Sequence, residues 1–300
     1  MMKATRRLLA VLTAVLLAAL LFAPAANAAN ECATKYPIIL VHGAGFRDSN
    51  VGVNYWGRIP QTLQAKGAKL YYGGTDGWCS VEQGAADLKA TVNRVLKQTG
   101  SAKVNIVAHS KGGIEARYMI SSLGMADKVA SLTTIATPHH GSKALASILG
   151  APDSLLRGVS LVGSAVRFVW GDRNPDFYAG IKSLEPSYMQ AFNKKNPDKA
   201  GVYYQSFAGE LPSGANDIIL APTRSVIYNS EGPNDGMVSV ASAKWTNFRG
   251  TLRGVGGRGV SHLDEVDFRR TDVSIAPLLG AKTVRDFYAA MAADLKQKGY

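Results

Sequence analysis

Cysteine is scarce in this 300-residue chain: there are two, Cys32 and Cys79, and no histidine pair accompanies them. Two thiols alone make a poor metal site, whereas an even count in an exported chain suits a disulfide. The expectation is a bond between Cys32 and Cys79, tying the amino-terminal part to the loop before the first long helix. Runs of lysine and arginine are missing too, although 34 basic against 22 acidic side chains give a formal charge of +12. Charge scattered in this way argues against a concentrated nucleic-acid surface. The glycine-rich tract 254–259 is short and unrepeated, so it reads as loop and no nucleic-acid partner is expected. There are no internal repeats and no interdomain linker. The apolar run from Leu8 to Phe22, at 15 residues, falls short of a membrane span, which needs about 20. Lys3, Arg6 and Arg7 precede it and Ala26-Asn27-Ala28 follows, which is the pattern of a secretory signal peptide over 1–28. No cysteine follows the run directly, which argues against a lipoprotein. The remaining 272 residues, with a net charge of +9, are expected to be secreted.

What is present is an alternation. Tyr36 to Val41 is a continuous apolar run, as expected of a parallel strand buried on both faces. A helix follows around Tyr55 to Gly67, then a strand at Lys69 to Tyr72. Ser80 with Gln83 forms a capping-box pattern before a helix over Val81 to Gln98, with Leu88, Val92, Val95 and Leu96 at helical spacing. Lys103 to Ile120 reads as strand, sharp turn and helix, and Ser131 to Thr137 as a further strand. A helix over Ser183 to Lys195, a strand over Val202 to Ala208, less regular sheet from Ile218 to Tyr228 and a last helix from Ala289 complete the series. Such alternation predicts an α/β fold: a mostly parallel sheet with helices on both faces. In such sheets ligands bind beyond the carboxyl ends of the strands, where His42-Gly43-Ala44, Ser110 and Thr137-Pro138-His139 all fall. Between Gly150 and Gly171 apolar residues crowd together, bounded by Gly and Pro. They read either as core-packing helices or as a cap over an apolar cleft, at about 145–180.

The string Ala108-His109-Ser110-Lys111-Gly112 is close to G-x-S-x-G, the turn that projects a serine between a strand and a helix. Alanine replaces the first glycine, a mild change. A serine hydroxyl needs a base, a group that orients the base, and donors for the oxyanion formed on attack. The amide of Lys111, at the helix start, and that of Ala44, in the His42-Gly43 turn, are the expected donors. Only five histidines exist. His109 adjoins the serine and should point away, His42 belongs to the oxyanion turn, and His139 and His140 precede the acid. His262 is left, in the chain order Ser, acid, His. For the acid, Asp235 in the turn string Gly232 to Val238 has a modest edge over Asp217.

Five colinear motifs, YPIILVHGAGF, VNIVAHSKGG, ATPHHGS, NDGMV and HLDEV, resemble those of the secreted bacterial true lipases of the Pseudomonas and Burkholderia type, from Tyr36 to about Phe268. The resemblance implies an α/β-hydrolase fold in one domain over 29–300, with Ser110 as nucleophile, Asp235 as acid, His262 as base, Ala44 and Lys111 as oxyanion donors, and a helical lid. It also implies a structural calcium near the histidine loop, with Asp264 and Asp217 as carboxylate ligands and no cofactor for catalysis. The chain departs from the family in four places. Its lid region is shorter, both cysteines lie early, the spacing of Asp217 before the acid is not identical, and Arg269-Arg270 stand where the family offers backbone ligands; the zinc-binding insertion of the Bacillus-type enzymes has no counterpart either, so zinc is not expected. The expected activity is hydrolysis of carboxylic esters with an apolar acyl chain, foremost acylglycerols at an interface. Polyester hydrolysis, acyl transfer and a non-catalytic surface-binding role are the alternatives, and a dedicated folding helper is a candidate partner.

Overall fold

The computed structural model describes residues 30–45, 47–50, 53–143 and 172–300. The expected signal peptide and most of the expected lid lie outside the described residues. The first apolar run becomes β1 (Ile38–Val41), buried along its whole length. Ile38 and Leu40 join one core cluster while Ile39 and Val41 join the other, because successive side chains of a strand point to opposite faces. A short antiparallel pair, β2 (Ser49–Asn50) and β3 (Val53–Asn54), follows. The central sheet adds β4 (Leu70–Tyr72), β5 (Val104–His109), β6 (Val129–Ile135), β7 (Tyr203–Glu210) and β8 (Phe248–Arg253). Its order is β4-β1-β5-β6-β7-β8, and every pairing is parallel. A separate hairpin joins β9 (Ser274–Leu278) to β10 (Ala281–Thr283).

The helices among the described residues are α1 (Ile59–Ala65), α2 (Val81–Thr99), α3 (Lys111–Ser121), α4 (Phe177–Lys182), α5 (Pro186–Lys195), α6 (Ala221–Glu231), α7 (Val240–Ala243) and α8 (Val284–Gln297). Ile59 and Leu63 of α1 and Phe287, Tyr288 and Met291 of α8 cover one face of the sheet. Leu88, Val92 and Val95 of α2 and Met119 and Ile120 of α3 cover the other. Each such side chain contributes about 1.5–3 kcal/mol by leaving water. Half of the expected capping box forms: Ser80 accepts the Gln83 N–H at 3.1 Å, while the Gln83 side chain donates to Asp87 instead. Gly100, at φ 66°, closes α2 in the left-handed conformation.

The chain runs from β1 outward to β4, then crosses back to place β5 on the other side of β1. Between β1 and β5 the winding direction reverses, and there the carboxyl ends of two strands diverge to leave a crevice. His42-Gly43-Ala44 and Ser110 stand on its two sides.

Two expectations are corrected. Ile218 to Tyr228 is not sheet; it leads into α6, which begins Ala221-Pro222, and proline suits a first helical turn. Ile218 and Ile219 resemble strand residues but are exposed. The strand β8 and the β9–β10 hairpin lie where the sequence pattern gives no strand signal. Cys32 and Cys79 are both free and buried, not bonded to each other. The Cys32 thiol packs beneath α8, 3.5 Å from the Ala289 carbonyl, whereas Cys79 lies against α3, its sulfur 3.7 Å from Lys111 Nζ. Burial pushes the two thiols up to about 11 and about 12, so both stay protonated and unreactive.

A thiol reductant is therefore expected to leave the thermal unfolding midpoint unchanged. A bond between these positions would contribute about 4 kcal/mol by loop closure, so a midpoint several degrees lower under reduction would reverse the assignment.

Candidate active site

β5 ends in a bend that few residues adopt: Ser110 has φ 54° and ψ −132°, a region costing about 1–3 kcal/mol for a residue with a side chain. Its surroundings enforce it. The Ser110 N–H donates to the Ile135 carbonyl at 3.0 Å, keeping the bend in the sheet. A methyl at Gly112 would stand 2.4 Å from the His42 carbonyl, and one at Gly113 would stand 2.1 Å from Thr137 Oγ1. These glycines let α3 start directly against the ends of β1 and β6. Ala108 is an ordinary buried strand residue with room for its methyl, which accounts for the departure from the glycine pattern.

Lys111 is the first residue of α3, so its N–H has no acceptor within the helix. Its side chain turns inward. Burial alone would push the ammonium toward neutrality, but the Glu115 carboxylate paired with it outweighs this and holds it above the usual lysine range. Only the backbone of Lys111 can therefore face the crevice.

Asp235 is fully buried in the turn Asn234-Asp235-Gly236. Its Oδ1 accepts the N–H groups of Met237 and Val238, both at 2.7 Å. Its Oδ2 lies 2.7 Å from His262 Nδ1, and His262 Nε2 lies 3.0 Å from Ser110 Oγ. Since a carboxylate accepts, the Nδ1 proton belongs to His262, and the Nε2 lone pair faces the serine hydroxyl. The His262 N–H also donates to the Asp235 carbonyl at 2.9 Å, so backbone and side chain fix the same pair.

The remaining histidines are occupied elsewhere. His42 bonds the carbonyls of Gly43 and Thr75. His139 receives the Arg117 guanidinium and stacks on Trp245, with burial first and Arg117 second holding it well below the usual imidazole range. His140 lies against Trp245. Asp217, the rival acid, turns away to Arg269 and to the Leu220 N–H.

Two residues that the sequence did not single out lie behind the serine. Tyr55 Oη accepts the Gly43 N–H at 3.0 Å and stands 2.6 Å from His109 Nδ1; His109 Nε2 is 2.9 Å from Glu265 Oε2. Tyr55, His109 and Glu265 thus form one continuous hydrogen-bonded chain, with His109 in the middle using both ring nitrogens. This second chain runs beside the first, with the His109 and His262 rings 4.4 Å apart. Burial keeps His109 neutral. Burial foremost, then the charges of Asp235 and Asp264, raises Glu265 well above the usual carboxylate range, so it too is neutral. His109, His262 and Glu265 are close enough to share a metal ion, but their ring nitrogens and Glu265 Oε2 are already engaged in these hydrogen bonds. Glu265 sits within the HLDEV motif, and that was its only signal; Tyr55 had none.

The serine opens into a cavity of about 280 Å³ lined by Ala44, Trp78, Leu184, Leu220, Met237 and His262. Apart from Ser110 and His262 its walls are mostly apolar. The oxygens expected to hold calcium do not fit that ion. Arg269 Nη2 lies 2.7 Å from Asp217 Oδ2, and Nη1 lies 3.7 Å from Asp264 Oδ1, so a guanidinium stands between the two carboxylates. Calcium takes six to eight oxygens at about 2.3–2.6 Å.

Comparison with known proteins identifies the family. The lipase (class 2) family matches residues 35–212. The chain belongs to the class 2 lipases. It is accordingly a carboxylester hydrolase. A triacylglycerol lipase of Burkholderia plantarii is 33% identical over 247 residues, covering 76% of this chain and 67% of the relative. One from Vibrio cholerae is 30% identical over 270 residues, covering 78% and 80%. Among solved structures, a metagenomic carboxyl esterase superposes with a TM-score of 0.68 at 18% identity, over 88% of this chain and 76% of that one. Lipase 1 of Pelosinus fermentans superposes with a TM-score of 0.61 at 19% identity, over 88% and 99%. These two share the α/β-hydrolase fold.

The neutrality of Glu265 has a measurable consequence. A carboxyl whose folded pKa is raised contributes its full stability below the unfolded value, about 4.3, and that stability is lost as pH rises through the folded pKa. Glu265→Gln removes this loss. Urea unfolding is expected to show the variant gaining on the wild type between pH 4 and pH 7; a difference independent of pH would mean that Glu265 is ionised.

Proposed function

We propose that this class 2 lipase is a secreted triacylglycerol lipase working through an acyl-enzyme on Ser110. The observation that carries the reading is the hydrogen-bonded chain from Asp235 through His262 to Ser110 at the wall of an apolar cavity. Ser110 Oγ attacks the ester carbonyl while His262 Nε2 takes its proton, and Asp235 stabilises the imidazolium. The carbonyl oxygen, now an oxyanion, accepts hydrogen bonds from the backbone N–H groups of Ala44 and Lys111. Collapse breaks the bond to the leaving alcohol, which takes the proton from His262. A water then gives its proton to the same nitrogen and attacks the acyl carbonyl; collapse breaks the bond to Ser110 Oγ, which takes that proton back from His262 as the fatty acid leaves. Each step uses groups of this chain and one water, in keeping with a family that needs no cofactor for catalysis.

The triacylglycerol substrate is supported by the names of the relatives and by the apolar lining of the cavity. Export is supported by Lys3, Arg6 and Arg7 before the apolar run and by the small residues up to Ala28. No helix among the described residues is long and apolar enough to cross a membrane.

Ser110→Ala is expected to lower kcat by about 10⁴-fold or more and to abolish labelling by an organophosphonate, without changing the unfolding midpoint. A folded wild-type protein that is not labelled at Ser110 would overturn the assignment. Emulsified long-chain triacylglycerol is expected to be hydrolysed faster than soluble short-chain esters or a polyester film, and preference for the film would replace the substrate.

A further inference from the structure

Asp217 and Asp264 approach each other from different parts of the chain. Asp217 ends the short turn 214–216 after β7, and its Oδ1 accepts the N–H of Leu220, a cavity-wall residue, at 3.3 Å. Asp264 lies two residues beyond His262, and its Oδ2 accepts the Ser261 N–H at 3.2 Å. Both carboxylates are buried, and two buried carboxylates cannot persist without a counter-charge. That charge comes from Arg269, in the same loop as His262.

We propose that Arg269 is the built-in cation of the histidine loop, clamping Asp217 to Asp264 in the place of a divalent ion. The inference rests on the reading of His262 as the base. A metal entering here would have to expel the guanidinium from its 2.7 Å contact with Asp217. Ser261 and Leu220 N–H groups each bond one carboxylate oxygen on the side away from Arg269, while Asp264 Oδ1 makes no hydrogen bond and meets Arg269 as an ion pair at 3.7 Å. A guanidinium also differs from a bound ion in being covalently attached: it cannot dissociate, so the closure of the loop does not depend on ion concentration. Arg269 touches no substrate and is a positioning residue. Through Asp264 it braces the turn carrying His262, and through Asp217 it braces the cavity wall at Leu220. The wall in turn meets the acid's own turn, since a methyl at Gly236 would stand 2.8 Å from Leu220 Cβ.

The test uses the full chain as wild type, Arg269→Gln and Arg269→Lys. The wild-type unfolding midpoint is expected to be the same in a calcium chelator and in added calcium chloride, and titration with calcium alone is expected to give no heat of binding. Arg269→Gln should lower the midpoint by about 2–4 °C and reduce kcat for a soluble ester several-fold with KM little changed, and the lysine variant should restore part of both. A wild-type midpoint that falls in chelator, or an Arg269→Gln protein with wild-type midpoint and kcat, overturns the proposal. If the glutamine variant does not fold, the wild-type chelator measurement and the lysine variant decide it alone. Organophosphonate labelling of the wild type is run in parallel. Failure to label Ser110 would sink the triad reading and leave the calcium result standing, so the two failures are distinguishable.

Discussion

The constraint on which the rest of the molecule depends is the backbone of Ser110, held at φ 54° at the end of β5. A side chain in that conformation is unfavourable by itself, so the surroundings must over-determine it. They do so by close approach. β6 receives the serine N–H, and Gly112 and Gly113 seat α3 against β1 and β6. Gly43 brings the β1 loop so near that a methyl there would stand 2.7 Å from Ser110 Cβ. The same closeness suits the proposed reaction geometry, because the backbone of the 42–44 loop can come this near the serine only where nothing but hydrogen separates them. Strain and function are one feature, and the parallel sheet is the frame rigid enough to hold it.

Around that bend the protein concentrates acidic groups and disposes of each charge differently. Asp235 is met by two backbone N–H groups and by His262. Glu265 is neutral, set between a neutral histidine and the fields of Asp235 and Asp264. Asp217 and Asp264 share a guanidinium. Had Glu265 carried a charge, His262, whose Nδ1 is 3.8 Å from it, would have faced two carboxylates in competition. With Glu265 neutral, Asp235 alone sets the ring's tautomer. Keeping one acid protonated is thus part of aiming the other.

Much of this was legible before any coordinates, for physical reasons that differ by element. β1, β5 and β6 are apolar on both faces, a pattern that a helix-covered parallel strand requires and that few alternatives produce. The serine bend announces itself because small residues are forced on it locally. Ile218 to Tyr228 misleads because its β-branched residues suit a strand, whereas Pro222 fits a helix start and Ile218 and Ile219 stay exposed. The cysteines misled because an even count says nothing about position, and each thiol found its own buried niche. Tyr55 and Glu265 carried little or no local signal, since they meet only through His109 and are separated by more than two hundred residues of chain. Arg269 is visible in the sequence as a departure, but its meaning depends on where its side chain ends.

The histidine loop shows why such distant contacts are needed. Between β8 and β9 the chain has no regular element beyond single helical turns, yet it must place Nε2 within hydrogen-bond reach of Ser110, where an error of about 1 Å can cost about 10²-fold in rate. Regular structure cannot supply that accuracy here, so cross-links do. Val260 N–H to the Glu210 carbonyl and His262 N–H to the Asp235 carbonyl fix the backbone. Asp235 fixes the ring, Glu265 anchors the loop inward on His109, and Arg269 anchors it outward on Asp217. Each tie reaches a different part of the chain, and none substitutes for another, because position, rotation and closure of a loop are separate degrees of freedom. A histidine carried on a loop is held accurately only to the extent that each of these is removed, and here each is removed by a residue of the chain itself.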